Sequence, residues 1–138
     1  MPPAAGLPTP FAQWFAARGW RLRSHQHGMI AAAAAGDHAL LVAATGAGKT
    51  LAGFLPELIR LAVRATPPPG QTPPGISVLY ISPLKALATD VRRNLLTPID
   101  EMGLAIRVET RTGDTPSDRR ARQTAHPPDI LLTTPESL

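Results

Sequence analysis

Short apolar runs recur along the chain, and segments with helical spacing of apolar residues separate them. Each run has five or six residues, which is the length of a buried strand. The predicted strands are 39–43, 76–81, 106–110 and 129–133. Short strands that alternate with helices form parallel sheets with helices on both faces. The pattern therefore predicts an α/β protein with a parallel, doubly wound sheet.

Capping and helix-breaking residues set the expected limits of the helices. Ser24 can cap the second helix, Gly36 can end it, and Pro56 is expected to bend the third. The predicted helices are 11–18, 24–36, 51–63, 85–96 and 115–124, with a separate turn at 98–101 and a helix start at Pro135. Two proline-rich segments, a loose leader at 1–10 and an exposed loop at 66–75, are predicted to lie outside them.

The segment 43–50, Ala-Ala-Thr-Gly-Ala-Gly-Lys-Thr, connects the first predicted strand to a predicted helix. Gly46 and Gly48 would let backbone N–H groups approach phosphates, Lys49 would supply a point charge, and the Thr50 hydroxyl could bind Mg²⁺. The helix N-terminus would face the anion. A chance glycine-rich turn is the alternative, but strand, loop and helix fall where phosphate binding requires them. The general pattern has glycine where this chain has Ala43.

Composition excludes several other classes of protein. The 138 residues include no cysteine, which excludes a disulfide framework and a cysteine-based metal site. No apolar stretch has the length of a membrane span, and the N-terminus lacks the pattern of a secretion signal. We therefore expect a cytoplasmic protein without a membrane partner. The net charge of +4 permits a nucleic-acid partner without requiring one.

Lysine is rare in this chain. Twelve of the 14 basic residues are arginine, and the two lysines are Lys49 and Lys85. Lysine is a compact charge that reaches a phosphate end-on, so the two residues are not interchangeable at such a site. Lys85 is therefore a candidate for a second phosphate contact, although a chance position is the alternative.

Each predicted strand is followed by a small polar cluster, at 45–50, 82–85, 111–114 and 133–136. In open parallel sheets, ligands gather at the carboxyl ends of the strands. Loops of Thr, Gly, Pro and a cation can hold a polyanion through backbone N–H groups and hydroxyls. The same residues also make ordinary caps and turns, which is the alternative interpretation.

Taken in order, the four clusters resemble the first half of a superfamily-two DEAD/DEXH-box helicase. Alanine at the first position of the phosphate loop is usual in that family. The resemblance implies a RecA-like phosphate-loop NTPase domain that uses ATP and Mg²⁺, with Lys49 and Thr50 in catalysis and Thr50 at the metal. The implied nucleotide contacts are Gln26, which would read the adenine edge, and Thr45, Gly46, Ala47, Gly48, Lys49 and Thr50. An upstream aromatic stacks on adenine in relatives, and Phe11 is the candidate here.

The remaining clusters resemble the family's nucleic-acid motifs. Residues 82–88 resemble motif Ia, 111–114 the glycine motif, and 133–138 motif Ib. The contacts with a nucleic-acid backbone that this implies are Pro83, Lys85, Gly113, Thr134, Pro135 and Glu136. The residues of these motifs resemble those of Lhr-like proteins of the ligase-associated DEXH-box branch more closely than those of DEAD-box RNA helicases. Membership of that branch would imply that the substrate is DNA in preference to RNA and that the protein acts in DNA repair. It would also imply a location in the bacterial cytoplasm, where the protein could associate with the nucleoid.

ATP hydrolysis in this family needs an acidic pair at the end of an apolar strand. No predicted strand ends that way, since 78–81 meets Ser82 and 130–132 meets Thr133. We therefore expect residues 11–138 to be the N-terminal part of the first RecA-like domain, incomplete at the C-terminus and truncated before the DEXH box. The rest of the helicase chain would be a missing partner. The isolated chain is expected to be inactive and poorly stable, with 39–43 lacking its strand partners. A non-catalytic nucleotide- or nucleic-acid-binding fragment is the alternative function.

Overall fold

The computed structural model describes residues 6–44, 48–64, 68–71 and 75–138. The chain forms two compact units. The first takes in Met1–Val63 and Glu101–Gly103, and the second takes in Arg64–Asp100 and Leu104–Leu138. No helix among the described residues combines the length and the apolar character needed to cross a membrane.

Three helices build the first unit: α1 (Thr9–Ala17), α2 (Ser24–Ala35) and α3 (Lys49–Val63). Helix α1 begins inside the predicted leader, because Pro8 and Pro10 occupy positions where a missing N–H costs nothing. Gly36 ends α2 in the left-handed conformation, with φ of 76°, as its position predicted. Helix α3 continues through Pro56 and buries a stripe at helical spacing. The buried residues of that stripe are Ala52, Phe54, Leu55, Leu58 and Leu61.

An aromatic cluster fixes α1 in the first unit. The rings of Trp14 and Trp20 meet edge to face at 5.5 Å, and the Arg18 guanidinium lies 4.4 Å from the Trp14 ring centre. Glu101 accepts hydrogen bonds from Trp14 Nε1 at 2.6 Å and from Arg18. The Trp14 hydrogen bond, opposed by partial desolvation and assisted by Arg18, holds the pKa of Glu101 below its usual value of 4.5.

The predicted first strand is wrong as secondary structure. Residues 39–43 form no strand, and the side chains of Leu40 and Val42 are 90% and 83% exposed. A short apolar run becomes a strand only when a neighbouring backbone supplies hydrogen bonds and another layer covers its face. None of the described strands pairs with it.

The second unit is a parallel sheet of three described strands: β1 (Val78–Ile81), β2 (Val108–Arg111) and β3 (Ile130–Thr133). Their spatial order is β1-β3-β2. The connection from β1 to β2 therefore runs in one direction across the sheet and the connection from β2 to β3 runs back. With right-handed crossovers, the two connecting helices cover opposite faces. All four residues of the central strand β3 are buried, as expected of a strand that is covered on both faces.

The connecting helices are α4 (Lys85–Glu101) and α5 (Ser117–Ala125), and a single 3₁₀ turn (Pro135–Ser137) follows β3. The predicted break before Pro98 is wrong, because α4 runs through it as one helix. Pro98 is buried in the same stripe as Leu95 and Ile99. Burial of this apolar stripe offsets the cost of the lost hydrogen bond at proline.

Candidate nucleotide site and nucleic-acid interface

The predicted phosphate loop, 43–50, is described at Ala43 and Ala44 and again from Gly48, which leads directly into α3. The predicted ligands Thr45, Gly46 and Ala47 lie outside the described residues. Lys49 and Thr50 are exposed in the first turn of α3. The first N–H groups of a helix have no partner within the helix, so this turn presents N–H donors and a lysine charge together. This is the chemistry that a phosphate requires.

Gly48 cannot be replaced without disturbance, for two independent reasons. Its φ of 76° is a conformation that side chains disfavour, and an added Cβ would lie 3.2 Å from Nε2 of Gln26. Gln26 is itself buried, and its Oε1 accepts a hydrogen bond of 2.9 Å from the Arg23 backbone N–H. The fold therefore brings Gln26, which is 22 positions earlier in the chain, against the phosphate loop.

A cavity of about 530 Å³ opens beside this contact. Gln26, Gly48 and Leu51 line it, together with Phe15 and Trp20. The volume lies within the range of small-molecule sites, and apolar walls with a few polar groups are typical of them. A planar base could lie against the aromatic wall while its polar edge faces the amide.

The assignment of Phe11 as the stacking aromatic is wrong. Its side chain is fully buried, so it presents no ring face to a ligand. Trp20 is half exposed and lines the cavity. From the sequence alone, Trp20 is predicted to pack with the N-terminal helix. Its position just after Gly19 and close before Gln26 was the one available signal for this second role.

The second unit brings together the three loops that resemble nucleic-acid motifs. Lys85 Nζ lies 2.9 Å from Asp114 Oδ2, and it lies 3.9 Å from the position that a Cβ on Gly113 would occupy. Lys85 also lowers the pKa of Glu136. Residues that are 28 and 51 positions from Lys85 in the chain thus converge on its ammonium group, at the carboxyl ends of β1, β2 and β3.

Lys85 does not lie in a simple strip of positive charge, because acidic residues lie near it. A hydrogen bond from its own backbone N–H, and then one from Thr134, hold the pKa of Glu136 below 4.5 against a small opposing effect of desolvation. Lys85 therefore pairs with the carboxylate of Asp114, while its charge also lowers the pKa of Glu136. Exposed pairs of this kind contribute about 0–1 kcal/mol and exchange partners readily. A phosphate can compete for Lys85 at little cost.

The six predicted backbone contacts are not equally accessible. Pro83, Lys85, Gly113 and Pro135 are exposed, and Glu136 is exposed as well. Thr134 is almost fully buried, and its hydroxyl lies 3.4 Å from Ser137 Oγ. Its side chain supports the loop from within, so a direct contact through that hydroxyl is not what the structure presents.

Sequence reasoning missed the role of Arg120. In the sequence, Arg119, Arg120 and Arg122 are typical of a solvated helix face, with contact to a nucleic-acid backbone as the alternative. Arg120 instead donates from Nη2 to the Thr112 carbonyl at 2.7 Å and from Nε to the Thr115 carbonyl at 3.1 Å. It ties the first turns of α5 to both sides of Gly113. No local signal separates it from the other two arginines, because its partners are backbone carbonyls.

The chain is similar to known proteins. A profile of the DEAD/DEAH box helicase family matches residues 23–138. The chain is 50% identical over 113 residues to the Lhr helicase/probable uracil glycosylase of Mycolicibacterium smegmatis, which covers 75% of this chain and 7% of that protein. It is 42% identical over 154 aligned residues to the Lhr helicase/uracil glycosylase of Escherichia coli, with 99% and 10% covered. The chain therefore spans about a tenth or less of the length of these two relatives.

Solved structures give the same result. The Mycobacterium smegmatis helicase Lhr bound to ssDNA and AMP-PNP superposes with a TM-score of 0.85 and 39% identity, over 99% of this chain and 18% of that one. The helicase MrfA bound to DNA and AMPPNP superposes with a TM-score of 0.80 and 29% identity, over the same shares of the two chains. The RecA-like α/β fold predicted from the sequence is thereby confirmed. The chain belongs to the DEAD/DEAH box helicase family.

Proposed function

We propose that this chain forms the ATP-binding half-site of an ATP-dependent nucleic-acid helicase and also carries part of its nucleic-acid interface. The observation that carries the nucleotide half is the contact of buried Gln26 with Gly48, beside a cavity of about 530 Å³. A phosphate-binding turn and a base-sized cavity that share one amide are the elements an adenine nucleotide would need. The structures of similar helicases that hold AMP-PNP support the same proposal.

Each residue of the nucleotide site has a proposed task. The backbone of Thr45, Gly46, Ala47 and Gly48 would surround the phosphates, and Lys49 would neutralise them. Gln26 would read the adenine edge, with Trp20 as the aromatic wall. Among the described residues there is no group of three acidic or histidine side chains that could hold a metal. Thr50, exposed in the first turn of α3, fits Mg²⁺ that is shared with the phosphates, where the ion would offset their charge.

The nucleic-acid half is proposed for the loops that meet at Lys85. Pro83, Lys85, Gly113, Pro135 and Glu136 would follow the backbone, with Thr134 holding the last loop in shape. Because such contacts reach phosphates and sugars, they carry no sequence information. DNA as the substrate, a role in DNA repair and a place near the bacterial nucleoid follow from the likeness to Lhr helicases and belong to this proposal.

Replacing Gln26 by alanine should reduce the preference for ATP over GTP by roughly 3- to 10-fold, the worth of one hydrogen bond. The measurement is a competition of ATP and GTP for a fluorescent nucleotide on the purified protein. Gln71→Ala, in an exposed turn of the second unit, is the matched control. Gln26 also accepts the Arg23 N–H, so a general loss of stability would weaken both nucleotides alike. An unchanged ratio of the two affinities would contradict the adenine role.

Replacing Lys85 by alanine should weaken binding to all nucleic-acid sequences equally and lower the salt slope by about one. The reason is the loss of one phosphate contact that does not read bases. Fluorescence anisotropy with two labelled oligonucleotides of different sequence, over a series of salt concentrations, measures both quantities. Lys85→Arg keeps the charge and should restore the slope. A slope that stays the same in Lys85→Ala would show that Lys85 is a solvated helix residue.

A second candidate function is a module that binds nucleotide or nucleic acid without turnover. It is favoured by one observation, that none of the described strands ends in an acidic pair, since the pair Asp100-Glu101 lies at the end of helix α4. For the same reason we propose that these residues alone do not hydrolyse ATP. Measurable turnover by the purified chain would refute that proposal, while nucleotide binding without turnover is common to both candidates.

A further inference from the structure

A groove of about 670 Å³ runs along the outer edge of β2. Residues from α4, β2 and α5 form its walls, so it belongs entirely to the second unit. It begins beside Arg107, just before the first residue of β2, and reaches His126 at the end of α5. None of the residues proposed to touch nucleic acid at the carboxyl ends of the strands lines it.

The groove is strongly basic. Arg92 of α4, Arg107 before β2, and Arg119 and Arg122 of α5 line it, against one carboxylate, Glu109. Arg92 and Arg119 have no carboxylate within 4 Å among the residues that the structure describes. Of the other two, Arg107 lies 3.5 Å from Glu109 and also donates a hydrogen bond of 3.4 Å to the His126 carbonyl, and Arg122 lies 3.7 Å from Asp118. Their positive charge is therefore largely available to a ligand.

The arginines are placed to act together. Arg119 and Arg122 are three residues apart on α5 and share one face of that helix. Arg92 approaches the same space from α4. Arginine presents a planar fork of donors that matches two oxygens of a phosphate, which makes it the residue of choice for binding polyphosphate backbones.

The edge of β2 is not open to an added strand at its centre. Gln123 Nε2 donates a hydrogen bond of 2.9 Å to the Thr110 carbonyl, so the side chain occupies a group that an incoming peptide backbone would need. The Oε1 atom of the same buried side chain has no hydrogen-bond partner in the described structure. This acceptor requires a donor such as water, because a phosphodiester has none, and it is the arginines that favour a polyanion. A blocked edge and a positive lining favour a polyanion over an extended peptide.

We propose that this groove is a second binding site for the phosphate backbone of a nucleic-acid strand, with Arg92, Arg107, Arg119 and Arg122 as the contacts. The inference rests on the proposed function in one respect, that the partner is nucleic acid. It adds a sequence-blind anchor at the β2 edge, formed by residues other than those at the carboxyl ends of the strands. A strand held at both places would be restrained over a longer path than the motif loops alone allow.

The test compares variants that remove the same charge. Arg92→Ala/Arg119→Ala takes two unpaired arginines from the groove. The control, Arg93→Ala/Arg60→Ala, takes two exposed arginines that do not line it. On a labelled single-stranded oligonucleotide, the groove variant should bind about tenfold more weakly at 50 mM salt, and its salt slope should fall by about 1.4. The control should change little, and thermal melting would verify that both variants are folded.

The outcomes separate the two proposals. If Lys85→Ala weakens binding and the groove variant matches its control, the groove proposal is overturned and the motif interface stands. If the groove variant weakens binding and Lys85→Ala does not, the groove stands and the motif interface fails. If polyglutamate of equal charge displaces the oligonucleotide only from proteins with an intact groove, and does so as well as unlabelled oligonucleotide, the partner is an acidic protein and the proposal is overturned.

Discussion

Lys49→Ala is expected to lower nucleotide affinity by about 10- to 150-fold, because it deletes a charge-assisted contact worth about 1.5–3 kcal/mol. Lys49 is exposed at the first turn of α3, where helix N–H groups also face the anion. Removal of its charge leaves the phosphates opposed by dipoles alone. Titration of the purified protein with a fluorescent ATP analogue measures the loss. In a longer polypeptide that joins these residues to the rest of a helicase, ATP turnover should disappear as well.

The chain supplies its own control for this experiment. Lys85 is the only other lysine, so Lys85→Ala removes an identical group from the second unit. Lys49→Ala should affect nucleotide and spare nucleic acid, and Lys85→Ala should do the reverse. If the two variants lost nucleotide affinity equally, the effect would be one of net charge, and the phosphate-loop assignment would fail.

Asp129→Ala should destabilise the protein by about 2–4 kcal/mol, which is the largest effect on folding that we expect from one substitution. Asp129 is nearly buried at the start of β3, where Oδ1 lies 2.5 Å from Arg64 Nη2 and Oδ2 accepts the Arg107 N–H at 2.8 Å. Its backbone carbonyl also accepts the N–H groups of Ser77 and Val78. The side chain of Asp129 thus fixes the backbone just before β2, and its backbone carbonyl fixes the backbone at the start of β1.

The cost would arise mainly from the groups left behind. Arg64 would lose its partner while only 30% exposed, and the Arg107 N–H would lose its acceptor. Partial exposure of Arg64 keeps the estimate below the full cost of an orphaned buried charge. Chemical denaturation gives the free energy of unfolding. Asp118→Ala removes an exposed i,i+4 partner of Arg122 and should change stability by about 0.5 kcal/mol or less. Equal effects of the two substitutions would refute the role of Asp129.

The parts of the fold that were predictable are those that local chemistry decides. Gly36 ends α2 because the residue at that position adopts the left-handed conformation, which favours glycine. The runs before Ser82 and Thr134 form strands because the strands that pair with them lie within the described chain. The likeness to helicase loops led to Lys85, Gly113 and Glu136, and the structure brings them together. Their contacts with nucleic acid stay predictions.

The failures came from interactions that sequence does not display. Residues 39–43 have a strand's composition, but pairing is decided by a partner elsewhere. Pro98 stays inside α4 because its ring is buried, which overrides its local preference. Phe11 and Trp20 are both aromatic, and the sequence does not show which of them is exposed. Only the packing in the structure shows that Trp20 lines the cavity and that Phe11 is buried. Arg120 donates hydrogen bonds to backbone carbonyls. Every residue has a backbone carbonyl, so the sequence does not indicate which ones accept.

The two edge strands of the described sheet differ in how open they are to pairing with a further strand. We therefore expect an added strand to pair with one edge in preference to the other. At β2 the Gln123 amide occupies the Thr110 carbonyl, whereas at β1 the side chains of Leu79 and Ile81 remain about half exposed. Apolar side chains on an edge strand attract further strands, and a capped edge repels them. Any strand recruited to this sheet, from the same polypeptide or from a neighbour during misassembly, should therefore join at β1. A charged residue placed at Leu79 should suppress aggregation where the same residue at Glu109 would not.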